Sequence, residues 1–276
     1  MNDYVSAILL GIVEGLTEFL PVSSTAHLRL SQQILNLPLD DAYWKMFAIV
    51  IQLGAILAVV VYFRRRLSEF CRTFIKPAAG DRWRHPVTLV MLSFVVTAVP
   101  CLLMDELIGE NLENLMAMGI ALIVGGIAMW VVDRTFRHPS TDRIEEMSLR
   151  QAIAIGLFQI LAAAFPGVSR SMATIAGGQI AGLSRPAALE FSFFLSIPVM
   201  VAATVYKLLQ YLVKNPTAVT PHDMAVLGVG FAVSFVVAWA VIAWFMHWVR
   251  RHGFAPFAIY RILVGAALLY WLFRQS

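Results

Sequence analysis

Charged residues are scarce in this chain. Asp, Glu, Lys and Arg make up 14% of its 276 residues, whereas a soluble domain normally has about 25%. Hydrophobic residues make up 59% of the chain, and its mean hydropathy is +0.75. So few charged residues cannot cover the surface of a soluble domain. The composition therefore excludes a soluble protein and predicts an integral membrane protein embedded in a lipid bilayer.

Cysteine and N-terminal positive charge are also scarce. The two cysteines are Cys71, in a basic loop, and Cys101, in an apolar run, so we expect no disulfide between them. No Lys or Arg precedes the first apolar run, and that run contains Glu14 and Glu18, so we expect that this segment is not a cleavable signal peptide. The net charge of +4 comes mostly from loops between apolar runs, where it sets membrane topology. We therefore predict no nucleic-acid partner.

Apolar runs of about 20 residues predict membrane-spanning helices. The sequence contains six such runs, at 46–63, 86–104, 114–132, 186–206, 224–246 and 254–273. Residues 4–20 and 150–165 are too short to span, and each leads into a proline, a hydroxyl-rich turn and a second short helical stretch. This pattern is typical of re-entrant hairpins. The predicted fold is therefore all-α, with about six transmembrane helices and two re-entrant helical hairpins.

The loops differ in charge in a way that predicts orientation. Loops 64–85 and 133–150 and the turn 250–252 are rich in Arg, whereas loop 105–113 is acidic. Cytoplasmic loops of membrane proteins are enriched in Lys and Arg. The basic loops are therefore predicted to be cytoplasmic, which places both termini outside. In a bacterium, this means the periplasmic side of the cytoplasmic (inner) membrane.

The chain also shows an internal repeat. At a constant offset of 145 residues, segment 7–24 matches segment 152–169 at six positions: Ala7/Ala152, Ile8/Ile153, Gly11/Gly156, Leu16/Leu161, Pro21/Pro166 and Ser24/Ser169. Each hairpin precedes three spans, and an odd number of spans inverts the second copy. We predict a single membrane domain, 1–276, built from inverted repeats of roughly 1–135 and 148–276 joined by a cytoplasmic loop. The tips Pro21–Ser24 and Pro166–Ser169 should then meet inside the membrane.

The first hairpin contains a cluster of polar residues. Glu14 and Glu18 are four residues apart, so they share one helix face and suit a divalent metal, Mg²⁺ or Ca²⁺, completed by water and phosphate oxygens. Ser24 and His27 follow on the next helical turn. Ser24 is a candidate nucleophile with His27 as its base; alternatively, His27 activates a water molecule. Ser23 is a candidate helix cap, with substrate contact as the alternative role.

The second hairpin has its own cluster of polar residues, within Pro166–Thr174. Arg170, placed between Ser169 and Ser171, suits bidentate binding of a phosphate. Thr174 lies one turn farther on the same face and offers a hydroxyl donor. Helix N-termini at both tips would favour an anion. Together the two motifs favour hydrolysis of a lipid-linked phosphate ester or anhydride.

Three further charged residues lie within or beside the spans. Arg185 and Glu190 are predicted to be structural, with Glu190 paired to Arg185 or to another buried partner. Arg261 lies about two turns into the last span, and we expect it to contact the cytoplasmic surface. Gln159, the repeat mate of Glu14, is a candidate for shaping the pocket.

These motifs identify a family resemblance. Glu14-Gly-Leu-Thr-Glu-Phe-Leu-Pro-Val-Ser-Ser-Thr-Ala-His27 and Pro166-Gly-Val-Ser-Arg-Ser-Met-Ala-Thr174 resemble the undecaprenyl-diphosphate phosphatase family, also called BacA. The resemblance extends over nearly the whole chain, including Ile51–Ala55 and Phe191–Pro198. The chain departs from the family at two positions, because Ala26 and Met172 stand where glycines are usual. Methionine at 172 adds bulk near the second tip.

The resemblance implies a metal-dependent enzyme that removes the terminal phosphate from undecaprenyl diphosphate. This reaction recycles the lipid carrier for peptidoglycan and other envelope polymers and is associated with bacitracin resistance. The active site would open toward the periplasm. The implied metal ligands are Glu14 and Glu18. The implied catalytic residues are Glu18, Ser24, His27 and Arg170. The implied substrate-binding residues are Ser23, Ser169, Arg170, Ser171 and Thr174.

Two other function classes fit the sequence less well. A transporter or flippase of the lipid carrier would also suit an inverted repeat, but it would not need the Glu, Ser, His and Arg set. A phosphatidic-acid-phosphatase type of enzyme is disfavoured because its motifs are not found at usable spacing. The sequence leaves the oligomeric state open, with a homodimer among the alternatives.

Overall fold

The structure is a computed structural model, and it describes residues 2–39, 41–75, 82–104, 114–214 and 220–275. The predicted acidic loop 105–113 lies outside the described residues, as do residues 76–81 of the first basic loop. The described residues are helical, with the following α-helices in chain order: α1 Asp3–Thr17, α2 Ser24–Ile34, α3 Ala42–Tyr62, α4 Arg64–Ile75, α5 Pro86–Leu103, α6 Leu115–Thr135, α7 Leu149–Ala164, α8 Arg170–Ile180, α9 Arg185–Lys214, α10 Pro221–Val249 and α11 Ala255–Gln275.

The prediction of six spans is confirmed. Within the described part of the chain, six helices are long and apolar enough to cross a membrane, namely α3, α5, α6, α9, α10 and α11. Helix α7 is a shorter apolar helix of 16 residues. The protein is therefore a multi-pass membrane protein with an all-helical fold.

Polar residues mark the points where several helices begin. Asn2 caps α1, Asn114 caps α6, and Ser148 forms a capping box with Gln151 at the start of α7. Such side chains satisfy backbone N–H groups that have no partner within the helix. These caps fix where α1 and α7, the first arms of the two hairpins, begin.

The structure separates into two compact units. Unit 1 consists of Met1–Phe19, Ser24–Phe63 and Ser196–Trp244. Its helices α1, α3 and α10 approach closely at glycines: a Cβ on Gly11 would lie 2.7 Å from the Gly230 carbonyl oxygen, and a Cβ on Gly54 would lie 2.5 Å from that of Phe231. Small residues at helix interfaces are how membrane helices pack tightly.

Unit 2 consists of Leu20–Ser23, Arg64–Leu195 and Phe245–Ser276. Helix α7 packs on α5, where hydroxyls also join the helices: Ser93 Oγ donates to the Ala152 carbonyl at 2.6 Å, and Thr97 Oγ1 donates to that of Gly156 at 2.9 Å. Helix α6 packs on α11, and a Cβ on Gly265 would lie 2.7 Å from the Gly119 carbonyl oxygen. These contacts hold the second hairpin against its neighbouring spans.

The charged residues near the spans have partners that the sequence did not identify. Glu190 pairs with Arg66 at 2.5 Å, and Arg185 pairs with Asp133 at 2.6 Å. The expectation that Arg261 contacts the cytoplasmic surface is wrong, since its side chain is fully buried in unit 2. Backbone carbonyls accept its hydrogen bonds, as described below, so it does not need solvent.

Candidate active site

The acidic end of the first hairpin is buried in unit 1. Glu14 lies on the last turn of α1 with none of its surface exposed, and Glu18 follows as the C-cap residue with 7% exposed. The backbone N–H of Glu18 donates to the Glu14 carbonyl at 2.9 Å, so the helical geometry continues through both residues. The two carboxylates therefore leave the end of α1 on one face, as predicted.

Ser24 begins α2 and contacts Glu18 of the acidic pair directly. Its Oγ donates a hydrogen bond of 2.5 Å to Glu18 Oε2, and both side chains are buried. Hydrogen bonds from a hydroxyl to a carboxylate are short and strong. His27 lies one turn farther along α2 and is half-buried. The carboxylate of Glu18 is thus in place to receive the Ser24 proton.

The donors at this end of the hairpin are oxygen atoms. Among the described residues, no group of three or more His, Cys, Asp or Glu side chains is placed to hold a metal ion. A Mg²⁺ ion, however, is usually held by one or two carboxylates together with water and substrate phosphate. The Glu14 and Glu18 pair fits that donor set. It does not fit a zinc site, which needs three or four protein ligands.

The tip of the first hairpin, Leu20–Ser23, belongs to unit 2, together with the second hairpin. Ser171 Oγ donates to the Leu20 carbonyl at 2.9 Å. Arg261 donates to the Pro21 carbonyl at 3.2 Å and to that of Gly167 at 3.0 Å. The structure therefore brings the two tips together.

Both tips place a serine in a strained backbone conformation. Ser23 and Ser169 each have φ of 75°, and each immediately precedes a helix that starts at the next residue. Such backbone conformations cost about 1–3 kcal/mol in a non-glycine residue and cluster at functional sites. By backbone conformation, Ser23 therefore resembles Ser169, 146 residues farther along the chain, whereas the predicted repeat pairs Ser24 with Ser169. Between the proline and this serine, the second tip has one residue more than the first, and it turns at Gly167, whose φ is 91°.

The second tip forms a connected set of hydroxyl groups around Arg170. Ser169 caps α8 by accepting from the Met172 N–H at 3.3 Å, and its Oγ lies 3.0 Å from Ser171 Oγ. Arg170 Nη1 donates to the Ser192 carbonyl at 3.1 Å. Thr174 Oγ1 donates to the Arg170 carbonyl at 2.9 Å and is itself fully buried.

These contacts fix Arg170 at two points, through its backbone and through one edge of its guanidinium. A guanidinium has five N–H donors in one plane, which matches the geometry of phosphate oxygens. Thr174 is placed to hold the Arg170 backbone rather than to reach outward. The departure Met172 is buried, with 6% exposed, and fits beside Gly125.

Two residues of this region were missed by the sequence motifs. Ser192 lies on α9 and contacts both Arg170 and Thr174, its Oγ lying 2.7 Å from Thr174 Oγ1. The sequence feature that could have identified it is a serine within the apolar Phe191–Pro198 segment. The other is Arg261, whose signal was a lone positive charge in an apolar span, a feature that marks function in membrane proteins.

Comparison with known proteins identifies the family. The model of the family described as bacitracin resistance protein BacA matches residues 7–267. The chain is 54% identical to the undecaprenyl-diphosphatase of Koribacter versatilis (strain Ellin345) over 100% of both chains. It is 46% identical to that of Novosphingobium aromaticivorans over 99% of each, and 39% identical to that of Lactobacillus delbrueckii subsp. bulgaricus over 96% of each. The chain therefore belongs to the bacitracin resistance protein BacA family.

Proposed function

We propose that this protein hydrolyses undecaprenyl diphosphate to undecaprenyl phosphate and inorganic phosphate in the bacterial inner membrane, with its active site open to the periplasm. Relatives that match the whole chain are named undecaprenyl-diphosphatase. The single observation that supports this most is the hydroxyl of Ser24 bonded to the carboxylate of Glu18, because holding a head group for transport would not require a nucleophile bonded to a base.

Arg170 is the residue proposed to bind the terminal phosphate. Its guanidinium matches the geometry of two phosphate oxygens and keeps its charge at every physiological pH. The backbone N–H groups in the first turn of α8, with Ser169 and Ser171 beside them, would add donors to the same anion. Ser23, at the equivalent position in the first tip, is the corresponding donor there.

The proposed chemical step uses Ser24 and Glu18. The Ser24 Oγ–H proton passes to Glu18 Oε2 while Oγ forms a bond to the terminal phosphorus. The bridging P–O bond breaks, and undecaprenyl phosphate leaves with the bond's electron pair. Water then attacks the phosphoserine phosphorus and gives a proton to His27, the Ser24 Oγ–P bond breaks, and Glu18 returns its proton to Ser24 Oγ. Inorganic phosphate leaves, and His27 releases its proton to solvent. His27, half-buried on the next turn, would activate that water.

Glu14 and Glu18 are the residues that would hold a divalent metal, Mg²⁺ or Ca²⁺. Such an ion would neutralise charge that develops on the phosphate oxygens. Glu14 is fully buried, and a buried carboxylate is stable in its charged form only when a cation or hydrogen-bond donors compensate it.

The inverted repeat, with halves of roughly 1–135 and 148–276, is part of the same proposal. A Cβ on Gly11 would lie 2.7 Å from the Gly230 carbonyl oxygen, and a Cβ on Gly156 would lie 2.8 Å from that of Ser93. In both cases the next neighbour is the valine three residues farther along the same span. Equivalent glycines thus meet spans that are the second of three in each half, as a repeat requires.

The test is phosphate release from a long-chain polyprenyl diphosphate by purified protein in detergent, with Mg²⁺, with Ca²⁺ and with chelator. We expect metal-dependent release without any vesicle or gradient, and a phosphoserine at Ser24 after rapid acid quench. Full turnover by Ser24→Ala would exclude the covalent step and leave the His27-activated water. Absence of release by the wild type, together with transfer of the lipid across vesicles, would favour the flippase alternative. The elution volume in detergent would test for a homodimer.

A further inference from the structure

Arg261 has an unusual environment for a charged residue in a membrane span. It is the largest fully buried side chain among the described residues. Its Nη1 donates to the Pro21 carbonyl at 3.2 Å, and its Nη2 donates to those of Gly167 and Ala121 at 3.0 and 3.1 Å. One guanidinium therefore joins the first tip, the second tip and helix α6.

The charge of this guanidinium has no carboxylate beside it in the described ranges, where the salt bridges involve other basic residues. Burying an unpaired charge is costly, and an apolar side chain would fill the same space at lower cost. Three carbonyl dipoles offset part of that cost. They come from segments up to 240 residues away in sequence, which a purely local packing role would not require.

We propose that Arg261 is a positioning residue that fixes the two tips against each other for catalysis. Arg170 directly follows Ser169 of the second tip, and Ser24 directly follows Ser23 of the first. A rotation of either loop would therefore move a reactive group. Displacements of about 1 Å cost as much as about 100-fold in rate when reacting groups must be aligned. This inference rests on the proposed phosphatase function.

The planar shape of the guanidinium is essential to this role. Its two terminal nitrogens donate in different directions, so each tip is held by a separate nitrogen. A lysine ammonium keeps the charge but is a single point of donation on a flexible stem. Lysine at 261 would therefore hold one tip at most.

Gly125 offers a way to displace the guanidinium without changing Arg261 or either tip. A Cβ at this position would overlap Nη2 of Arg261 and would lie 2.9 Å from the Met172 methyl carbon. Both are ends of flexible side chains, so alanine would push them aside instead of breaking the helix packing. Gly119 is the matched control, because it lies on the same helix and its Cβ would meet the Leu269 side chain, 2.7 Å away.

The experiment compares the wild type, Arg261→Lys, Gly125→Ala and Gly119→Ala in detergent. It measures kcat and KM for polyprenyl diphosphate, and the Tm of each protein. We expect Arg261→Lys and Gly125→Ala to lower kcat by 10- to 100-fold with little change in KM, and Gly119→Ala to retain the wild-type kcat whatever its Tm.

Two results would overturn the proposal. One is a kcat within twofold of the wild type for both Arg261→Lys and Gly125→Ala. The other is a loss of kcat in all three variants that follows the fall in Tm, or failure of both test variants to fold, because Arg261 would then serve the fold alone. A wild type that releases no phosphate would instead contradict the proposed function.

Discussion

The two short helical hairpins, α1–α2 and α7–α8, both pack on neighbouring spans through glycines, but they bury different polar side chains. At the position of Glu14 in the first, the second has Gln159. Gln159 Nε2 donates to Thr97 Oγ1 at 3.1 Å, so this amide is tied to span α5. Glu14 instead supplies a buried carboxylate, one helical turn before Glu18. The difference teaches that the same order of helix, break and helix accommodates a buried carboxylate in one hairpin and a hydrogen-bonded amide in the other.

The largest expected effect concerns the arginine of the second hairpin. Arg170→Ala should lower phosphate release by about 10³-fold or more, because the charge that stabilises a transferring phosphoryl group is lost. Arg170→Lys should recover only part of this loss, since lysine cannot bind in two-pronged fashion. Steady-state phosphate release measures both. Ser192→Ala, which keeps the carbonyl that Arg170 contacts, is the control and should stay within a few-fold of the wild type.

Exchanging the residues at the matched position tests whether the hairpins are interchangeable. Glu14→Gln should lower activity by about 10- to 100-fold and raise the metal concentration needed, because a metal ligand is lost. Gln159→Glu should leave the rate nearly unchanged but lower stability by about 1–3 kcal/mol, because a carboxyl replaces the amide group that donates to Thr97 Oγ1. Metal titrations and melting curves separate the two outcomes. Recovery of activity when both changes are combined would mean that the acid can act from either hairpin.

Alanine at the two equivalent glycines should have smaller and matching effects. Gly11→Ala and Gly156→Ala each place a Cβ within 3 Å of a backbone carbonyl oxygen. Overpacking of this kind costs about 1–3 kcal/mol. We expect similar falls in Tm for both, measured by thermal unfolding in detergent, with Gly228→Ala as a control because nothing lies near its Cβ position. Unequal falls would indicate that the hairpins pack differently.

The smallest effect concerns the caps of the spans that hold the hairpins. Helix α5 is capped by His85, whose Nδ1 accepts from the Val87 N–H at 3.2 Å, whereas Asp223 accepts from the Thr220 N–H at the start of α10. Burial lowers the pKa of His85. The folded protein therefore holds this proton less tightly than the unfolded chain, and stability should fall as pH drops below about 6.5.

His85→Asn provides the measurement for that last effect. Asparagine caps a helix equally well but does not titrate near neutral pH. The melting temperature of the wild type should fall slightly more than that of His85→Asn between pH 7.5 and 5.5, values chosen about one pH unit either side of the ordinary pKa of histidine. Parallel curves would show that His85 does not contribute to the acid sensitivity.

Much of the fold was predictable because membrane insertion depends on local sequence. A run of apolar residues crosses a bilayer whatever its partners, and the six predicted spans are confirmed, although α9 extends to Lys214, beyond the predicted end at 206. The two short arms, α1 and α7, were predicted for the same reason. The one-residue difference between the two tips was not predicted, since the additional residue at Gly167 changes the turn without changing the flanking sequence pattern.

The site was predictable in its residue types and less so in its contacts. Glu14, Glu18, Ser24, His27 and Arg170 stand out because polar side chains are costly in an apolar segment. Their roles stay predictions for experiment to decide. The sequence pairs Ser24 with His27 by spacing, whereas the hydroxyl donates to Glu18, which lies across the break between α1 and α2. Spacing along one helix cannot predict the Glu18–Ser24 contact, because these two residues lie on opposite sides of the break.

By itself, then, the sequence determined that this is a helical membrane protein and where its spans lie, and it predicted which polar residues would take part in phosphate chemistry. These features follow from hydropathy and from the cost of burying charge, both of which act residue by residue. Only the tertiary structure decided that Ser192 holds Arg170 and that Arg261 joins Pro21 to Gly167. These partners are backbone carbonyls, which every residue has, so no side-chain pattern could single them out before the chain was folded.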